Sequence, residues 1–123
     1  MIAADSSSLV AYFSGERGPD VEQLASAMIS AELVLPPVVV TELLTDPGSS
    51  ALADRIGELA ILDPTEGYWT RAGLTRRTLR RRGFKAKVAD TLIAQWCIDH
   101  GVALITRDKD FRHFAKHCGL KLA

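Results

Sequence analysis

The chain has 123 residues, of which 47% are hydrophobic and 24% charged, the proportions of an ordinary globular protein. Fifteen basic residues cancel fifteen acidic ones, so any preference for nucleic acid or an acidic partner must come from where the charges sit. No apolar segment approaches the ~20 residues that span a bilayer, the N-terminus lacks a signal peptide's basic region and long apolar run, and Cys97 and Cys118 have no metal-ligand spacing. The expectation is a reduced, cytoplasmic protein with no membrane segment, folded as a single domain over residues 1–123.

Ile2 to Asp5 reads as a short buried strand running into Asp5-Ser6-Ser7-Ser8, side chains suited to the free amides of a helix start. A helix through Leu9–Phe13 breaks around Gly15–Pro19, and another follows from Asp20 to about Ala31 with Val21, Leu24, Ala25 and Met28 on one face. Leu33–Leu35 is a second strand, stopped by Pro36-Pro37. The next stretch, VVVTELL, has the β-branched content of a strand, but Pro37 at a first helical turn favours a helix. Val39 then stacks on Leu43 and Val40 on Leu44, with Glu42 on the neighbouring face. Pro47-Gly48 closes that helix, Ser49 or Ser50 caps the next, Ala51 to about Glu58, and Leu59–Leu62 is a third strand ended by Asp63-Pro64.

A long helix from Glu66 to about Arg82 carries Tyr68, Ala72, Thr75 and Leu79 along one stripe and stops at Gly83. Helix Val88–His100 buries Ala89, Leu92, Ile93, Trp96 and Cys97 and stops at Gly101. Val102–Thr106 is the fourth strand, Phe111–His117 a closing helix, and Leu120–Leu122 a candidate fifth strand at the edge. Strands alternating with helices, without hairpin signals, imply an α/β domain around a parallel sheet of about four or five strands.

Ligands of such sheets bind at the carboxyl ends of the strands, and acids fall there. Asp5 ends the first strand, Glu42 lies on the helix after the second, Asp90 opens the helix before the fourth, and Asp108 follows the fourth. Each has an ordinary role available: helix cap, solvated helix residue, dipole partner and turn former. Together they describe carboxylates that stay ionised side by side only if cations neutralise them. An all-oxygen donor set selects Mg²⁺ or Mn²⁺ over zinc.

Asp5-Ser6-Ser7, Thr41-Glu42-Leu43-Leu44, Ala89-Asp90-Thr91-Leu92-Ile93-Ala94 and Leu104-Ile105-Thr106-Arg107-Asp108-Lys109-Asp110-Phe111 resemble, in order and spacing, the four blocks of PIN-domain ribonucleases, above all the VapC-type toxins of bacterial toxin–antitoxin pairs. The resemblance covers nearly the whole chain. It implies a flavodoxin-like three-layer α/β/α sandwich and a Mg²⁺- or Mn²⁺-dependent endoribonuclease that hydrolyses RNA with activated water, leaving 5′-phosphate and 3′-hydroxyl ends. Matched motif to motif, Asp5, Glu42, Asp90 and Asp108 become the catalytic, metal-binding quartet, with Asp110 a substitute or outer neighbour. Ser7 and Thr106 match residues that orient those carboxylates. The resemblance also implies a homodimer and a cognate antitoxin.

Charge is uneven along the chain. Arg71, Arg76, Arg77, Arg80, Arg81, Arg82, Lys85 and Lys87 follow one another without an acid between them. Such a run contacts an RNA backbone, binds an acidic segment of a partner, or is a solvated helix face with a basic last turn. His113, His117 and Cys118 have a weak zinc spacing but read better as helix-end residues. Trp96 has core spacing, and Trp69 stands beside the arginines, open to packing or base stacking. Receiver and dehalogenase-like phosphatase readings fit poorly, because Asp5 is followed by serines rather than further acids. The non-enzymatic alternative is a catalytically silent RNA- or protein-binding module of the same fold.

Overall fold

Ile2–Ala4 (β1), Leu33–Leu35 (β2), Ala60–Ile61 (β3) and Ala103–Ile105 (β4) pair in parallel in the order β3-β2-β1-β4. The structure, a computed structural model, describes residues 1–45, 47 and 50–123, with backbone alone at 50 and 51. Of the expected helix stop at Pro47-Gly48 and cap at Ser49 or Ser50, Gly48 and Ser49 fall outside what is described, and Ser50 is the first residue of the next helix. The register sets Ile2 beside Leu33 and Ala103, and Ala4 beside Ile105. Ala3, Ala4, Val34, Leu35, Leu104 and Ile105 are all buried, as expected of a parallel sheet covered on both faces.

The helices are Ser6–Phe13 (α1), Pro19–Ile29 (α2), Pro37–Thr45 (α3), Ser50–Ile56 (α4), Tyr68–Arg81 (α5), Val88–His100 (α6) and Arg112–Cys118 (α7). α1 packs on α2 and α3, and α5 packs on α6 and α7. The chain steps outward from β1 through β2 to β3, then crosses back to β4 on the far side of β1. With the right-handed crossovers that parallel strands take, the reversal puts α5 and α6 across the sheet from α1 and α2. The result is an α/β sandwich.

VVVTELL is helical, as Pro37 requires, but only Val39 and Leu43 are fully buried; Leu44 is 44% exposed. α5 starts at Tyr68 rather than Glu66, because Gly67 takes a left-handed conformation (φ 79°) that a continuing helix cannot hold. The third strand shortens to two exposed residues, with Leu59 and Leu62 outside it. It has one neighbour, β2, and Asp63-Pro64 follows at once, where proline cannot donate to a ladder. The fifth strand is reduced to one parallel bridge, Leu122 to Leu104, with Leu104 N–H donating to Lys121 O and Ala123 N–H to Leu104 O, each at 2.9 Å.

Trp96 is fully buried, and its indole N–H donates to Leu62 O at 3.0 Å, which ties α6 to the chain leaving β3. Tyr68 O–H donates to Leu92 O at 2.6 Å. Among the described residues, no helix is long and apolar enough to cross a membrane.

Candidate active site

β1 and β4 are neighbours whose following connections leave in opposite directions. That is the switch point where open α/β sheets form a crevice at their carboxyl ends. Asp5 follows β1 directly, and Thr106 and Asp108 follow β4. Asp5 N–H donates to Ile105 O at 3.2 Å, which pins the two strand ends together.

Asp5 is only 3% exposed and is the N-cap of α1, accepting Ser8 N–H at 3.2 Å. Ser7 Oγ donates to its two carboxylate oxygens at 2.8 and 2.9 Å, and Thr106 Oγ1 donates to Oδ2 at 2.7 Å. The cap role and the site role therefore fall on the same side chain. Burial pushes the Asp5 carboxyl above its ordinary range, against the pull of these donors, and Asp108 adds repulsion.

Across the crevice, one oxygen from each of Asp90, Asp108 and Asp110 lies within 4.8 Å of the others. Asp90 sits in the first turn of α6 and accepts no hydrogen bond from the described residues. Its carboxyl is pushed up to about 6, first by burial and then by Asp108, with further repulsion from Asp110 and Glu42 and partial relief from Lys87. Asp108 caps the short 3-10 turn Lys109–Phe111, accepting Asp110 N–H at 2.9 Å. Glu42, on α3, accepts Ser6 Oγ at 3.3 Å; burial raises its carboxyl, and Asp5 raises it further.

Of the four expected acids, Asp90 and Asp108 come together with Asp110, whereas Asp5 and Glu42 stand outside that 4.8 Å cluster and are coupled to it electrostatically. The donors are carboxylate oxygens alone, crowded and partly desolvated, which suits a hard divalent cation such as Mg²⁺ or Mn²⁺. The histidine alternative does not form a ligand set. His113 and His117 stack on Phe84 with ring centroids 4.4 and 4.9 Å apart, and His117 Nδ1 faces Arg82 at 2.8 Å.

The basic run divides. Arg71 is held by Asp99 at 2.8 Å, Arg76 Nε donates to Ala86 O at 2.7 Å, and Arg82 meets His117. Arg77, Arg80, Arg81 and Lys85 are exposed, with no side-chain hydrogen bond or ion pair among the described residues. Gly73, Arg76, Arg77, Arg80 and Arg81 line one open groove on α5. Lys87 opens α6 close enough to act on Asp90. The sequence reading missed Arg107, which faces Asp20, because nothing local pairs residues so far apart.

Three solved structures are similar to the chain in fold. VapBC2 from Rickettsia felis, bound to a DNA fragment from its promoter, is 20% identical with a TM-score of 0.76 over 100% of this chain and 98% of that one. FitAcB from Neisseria gonorrhoeae is 19% identical, TM-score 0.75, over 99% and 96%. A toxin–antitoxin complex from Klebsiella pneumoniae is 17% identical, TM-score 0.68, over 98% and 95%. The sequence model of one family, described as PIN domain, matches residues 2–117. With nearly its whole length inside that match, and its acids gathered at the end of the sheet, this chain belongs to the PIN domain family.

Proposed function

We propose that the chain is a Mg²⁺- or Mn²⁺-dependent endoribonuclease, acting as one domain and serving as the toxin of a toxin–antitoxin pair. The observation that carries this reading is the cluster of Asp90, Asp108 and Asp110 within 4.8 Å, coupled electrostatically to Asp5 and Glu42. Asp5, Glu42, Asp90 and Asp108 would hold the cation, with Asp110 offering a further oxygen. When bound, the metal supplies positive charge at the scissile phosphate and lowers the pKa of water.

The chain's own residues do the rest. Ser7 and Thr106 fix the direction of both Asp5 oxygens. A carboxylate of the cluster would take the proton from the attacking water. Arg77, Arg80, Arg81, Lys85 and Lys87 bind phosphates and draw the strand toward α6, flanked by Arg76 and Arg82. Water attack on phosphorus leaves 5′-phosphate and 3′-hydroxyl ends. The names of the similar structures, one a toxin–antitoxin complex, support an antitoxin as partner. The homodimer and the cytoplasmic location belong to the same reading.

Incubation of the purified chain with RNA, with and without Mn²⁺, tests it. Cleavage should require the metal, yield 5′-phosphate ends, and vanish in Asp90→Asn. Equal cutting by Asp90→Asn would remove Asp90 from the catalytic set, and a wild-type chain that binds RNA without cutting it would leave a binding module.

A further inference from the structure

Asp5 and its immediate donors are one arc of a larger closed ring. Fully buried Ser8 donates its N–H to Asp5 Oδ1 at 3.2 Å and its hydroxyl to Asp20 Oδ2 at 2.8 Å. Asp20 accepts a fork from Arg107, with Nε at 2.8 Å and Nη2 at 3.1 Å. On either side of Arg107 stand Thr106, whose hydroxyl reaches Asp5 Oδ2 at 2.7 Å, and Asp108, whose N–H donates to that same hydroxyl at 3.0 Å. The path Asp5, Ser8, Asp20, Arg107, Thr106 returns to Asp5 without a gap.

The remaining donors of Arg107 also meet protein groups, at the surface. Nη1 meets Glu16 at 3.3 Å and Nη2 meets Arg17 O at 3.3 Å. A Cβ at Gly18 would stand 2.7 Å from Asp20 Oδ1 and 3.3 Å from Arg107 Nη2, so glycine, whose φ of 152° also disfavours a side chain, lets the loop close over the fork. Paired guanidinium–carboxylate forks are directional as well as strong. Groups behind a site that lock the orientation of its ligands affect affinity or rate without meeting the substrate.

We propose that Asp20 and Arg107, seated by Ser8, are positioning residues. They hold the Thr106–Asp108 corner so that Thr106 aims the Asp5 carboxylate and Asp108 keeps its place beside Asp90. The inference rests on the nuclease reading above. It assigns Arg107 to the protein frame rather than to the RNA backbone, although its charge and its place next to Asp108 would suit either.

Steady-state cleavage and Mn²⁺ calorimetry on Asp20→Asn, Arg107→Met, the double variant and Arg107→Lys decide it. For both single variants, kcat should fall roughly 10- to 100-fold while KM for RNA holds, and Mn²⁺ should bind more weakly. The double variant should be no worse than the worse single one, and Arg107→Lys should recover part of kcat. Gly18→Ala, which keeps every charge but crowds the fork, should move kcat the same way. Unchanged kcat and Mn²⁺ affinity in folded variants would overturn the proposal and leave a plain anchor for α2. So would a rise in KM confined to the Arg107 variants, since losing the acid Asp20 cannot remove a phosphate contact. A wild-type chain that neither binds Mn²⁺ nor cuts RNA fails differently: it removes the nuclease reading itself.

Discussion

The two walls of the crevice are built on opposite principles. On the β1 side, the Asp5 carboxylate is nearly sealed from water yet met by Ser7, Ser8 and Thr106. On the α6 side, Asp90 stands among Asp108, Asp110 and Glu42, with partial cationic relief from Lys87. The first wall is organised by the protein before anything binds. The second stores repulsion that protons or a cation must relieve. Preorganised ligands on one side and unsatisfied charge on the other let an ion bind tightly while the geometry stays fixed.

The largest effects should separate the walls by what is removed. Asp108→Asn takes away a charge and a ligand oxygen, and should reduce Mn²⁺-dependent cleavage by more than the roughly 100-fold typical of an outer partner. Asp110→Asn should cost less if Asp108 is the ligand and as much if the two share the ion. Ser7→Ala leaves every carboxylate in place and should sit lowest, near a 10-fold loss. Single-turnover cleavage of one RNA at fixed Mn²⁺ ranks the three, and Ser7→Ala as damaging as Asp108→Asn would erase the distinction.

A metal-free crevice of acids repels phosphate, so on the nuclease reading RNA would be held first from outside it. Arg80 and Arg81 lie in the α5 groove, exposed and without a side-chain partner among the described residues. Arg80→Glu with Arg81→Glu should weaken RNA binding and flatten the log–log salt slope by roughly 2 units. Filter binding across a salt series measures it. Arg71→Met should act differently, loosening the Asp99 contact and lowering stability more than affinity. An unchanged salt slope in the double charge reversal would leave the groove to a partner protein or to solvent.

Much of this was legible in the residues because it is local. Strand ends, helix stops at Gly83 and Gly101, and the acid that follows each strand are short-range signals, and all four acid blocks fall where those signals put them. The third strand was over-read, since Leu59–Leu62 is apolar enough for a core strand but lies at the sheet's edge. Val40 and Leu44 share a helical spacing, yet Leu44 is half-exposed, because that spacing fixes a face but not what covers it. The Asp20–Arg107 fork joins residues 87 apart, and no periodicity encodes such a pair. Grouping Asp110 with Asp90 likewise needs the turn Lys109–Phe111.

The smallest expected effect isolates the bare wall in the metal-free protein. The Asp90 carboxyl is raised from 3.8 to about 6, so the folded state holds its proton more tightly than the unfolded chain. Its contribution to stability is therefore fully present below about 3.8 and is lost as pH rises through about 6. Asp5 and Glu42 are shifted in the same direction by burial. Asp20, lowered to about 2 by the Arg107 fork, works in the opposite sense, and only below its ordinary value; between pH 4 and 7 the acid cluster titrates alongside His117, which burial and Arg82 lower from 6.5, so the comparison with Asp90→Asn isolates the Asp90 part. Asp90→Asn, neutral at every pH, should match the wild type near pH 4. By pH 7.5 it should be more stable by ~1 kcal/mol, after allowing for solvent screening at a half-buried group. Thermal melts in chelator measure this, and added Mn²⁺ should reverse the order by stabilising the wild type through binding. A variant that melts with the wild type at both pH values would mean that Asp90 bears no unrelieved charge, and the two walls would then differ in hydrogen bonding alone.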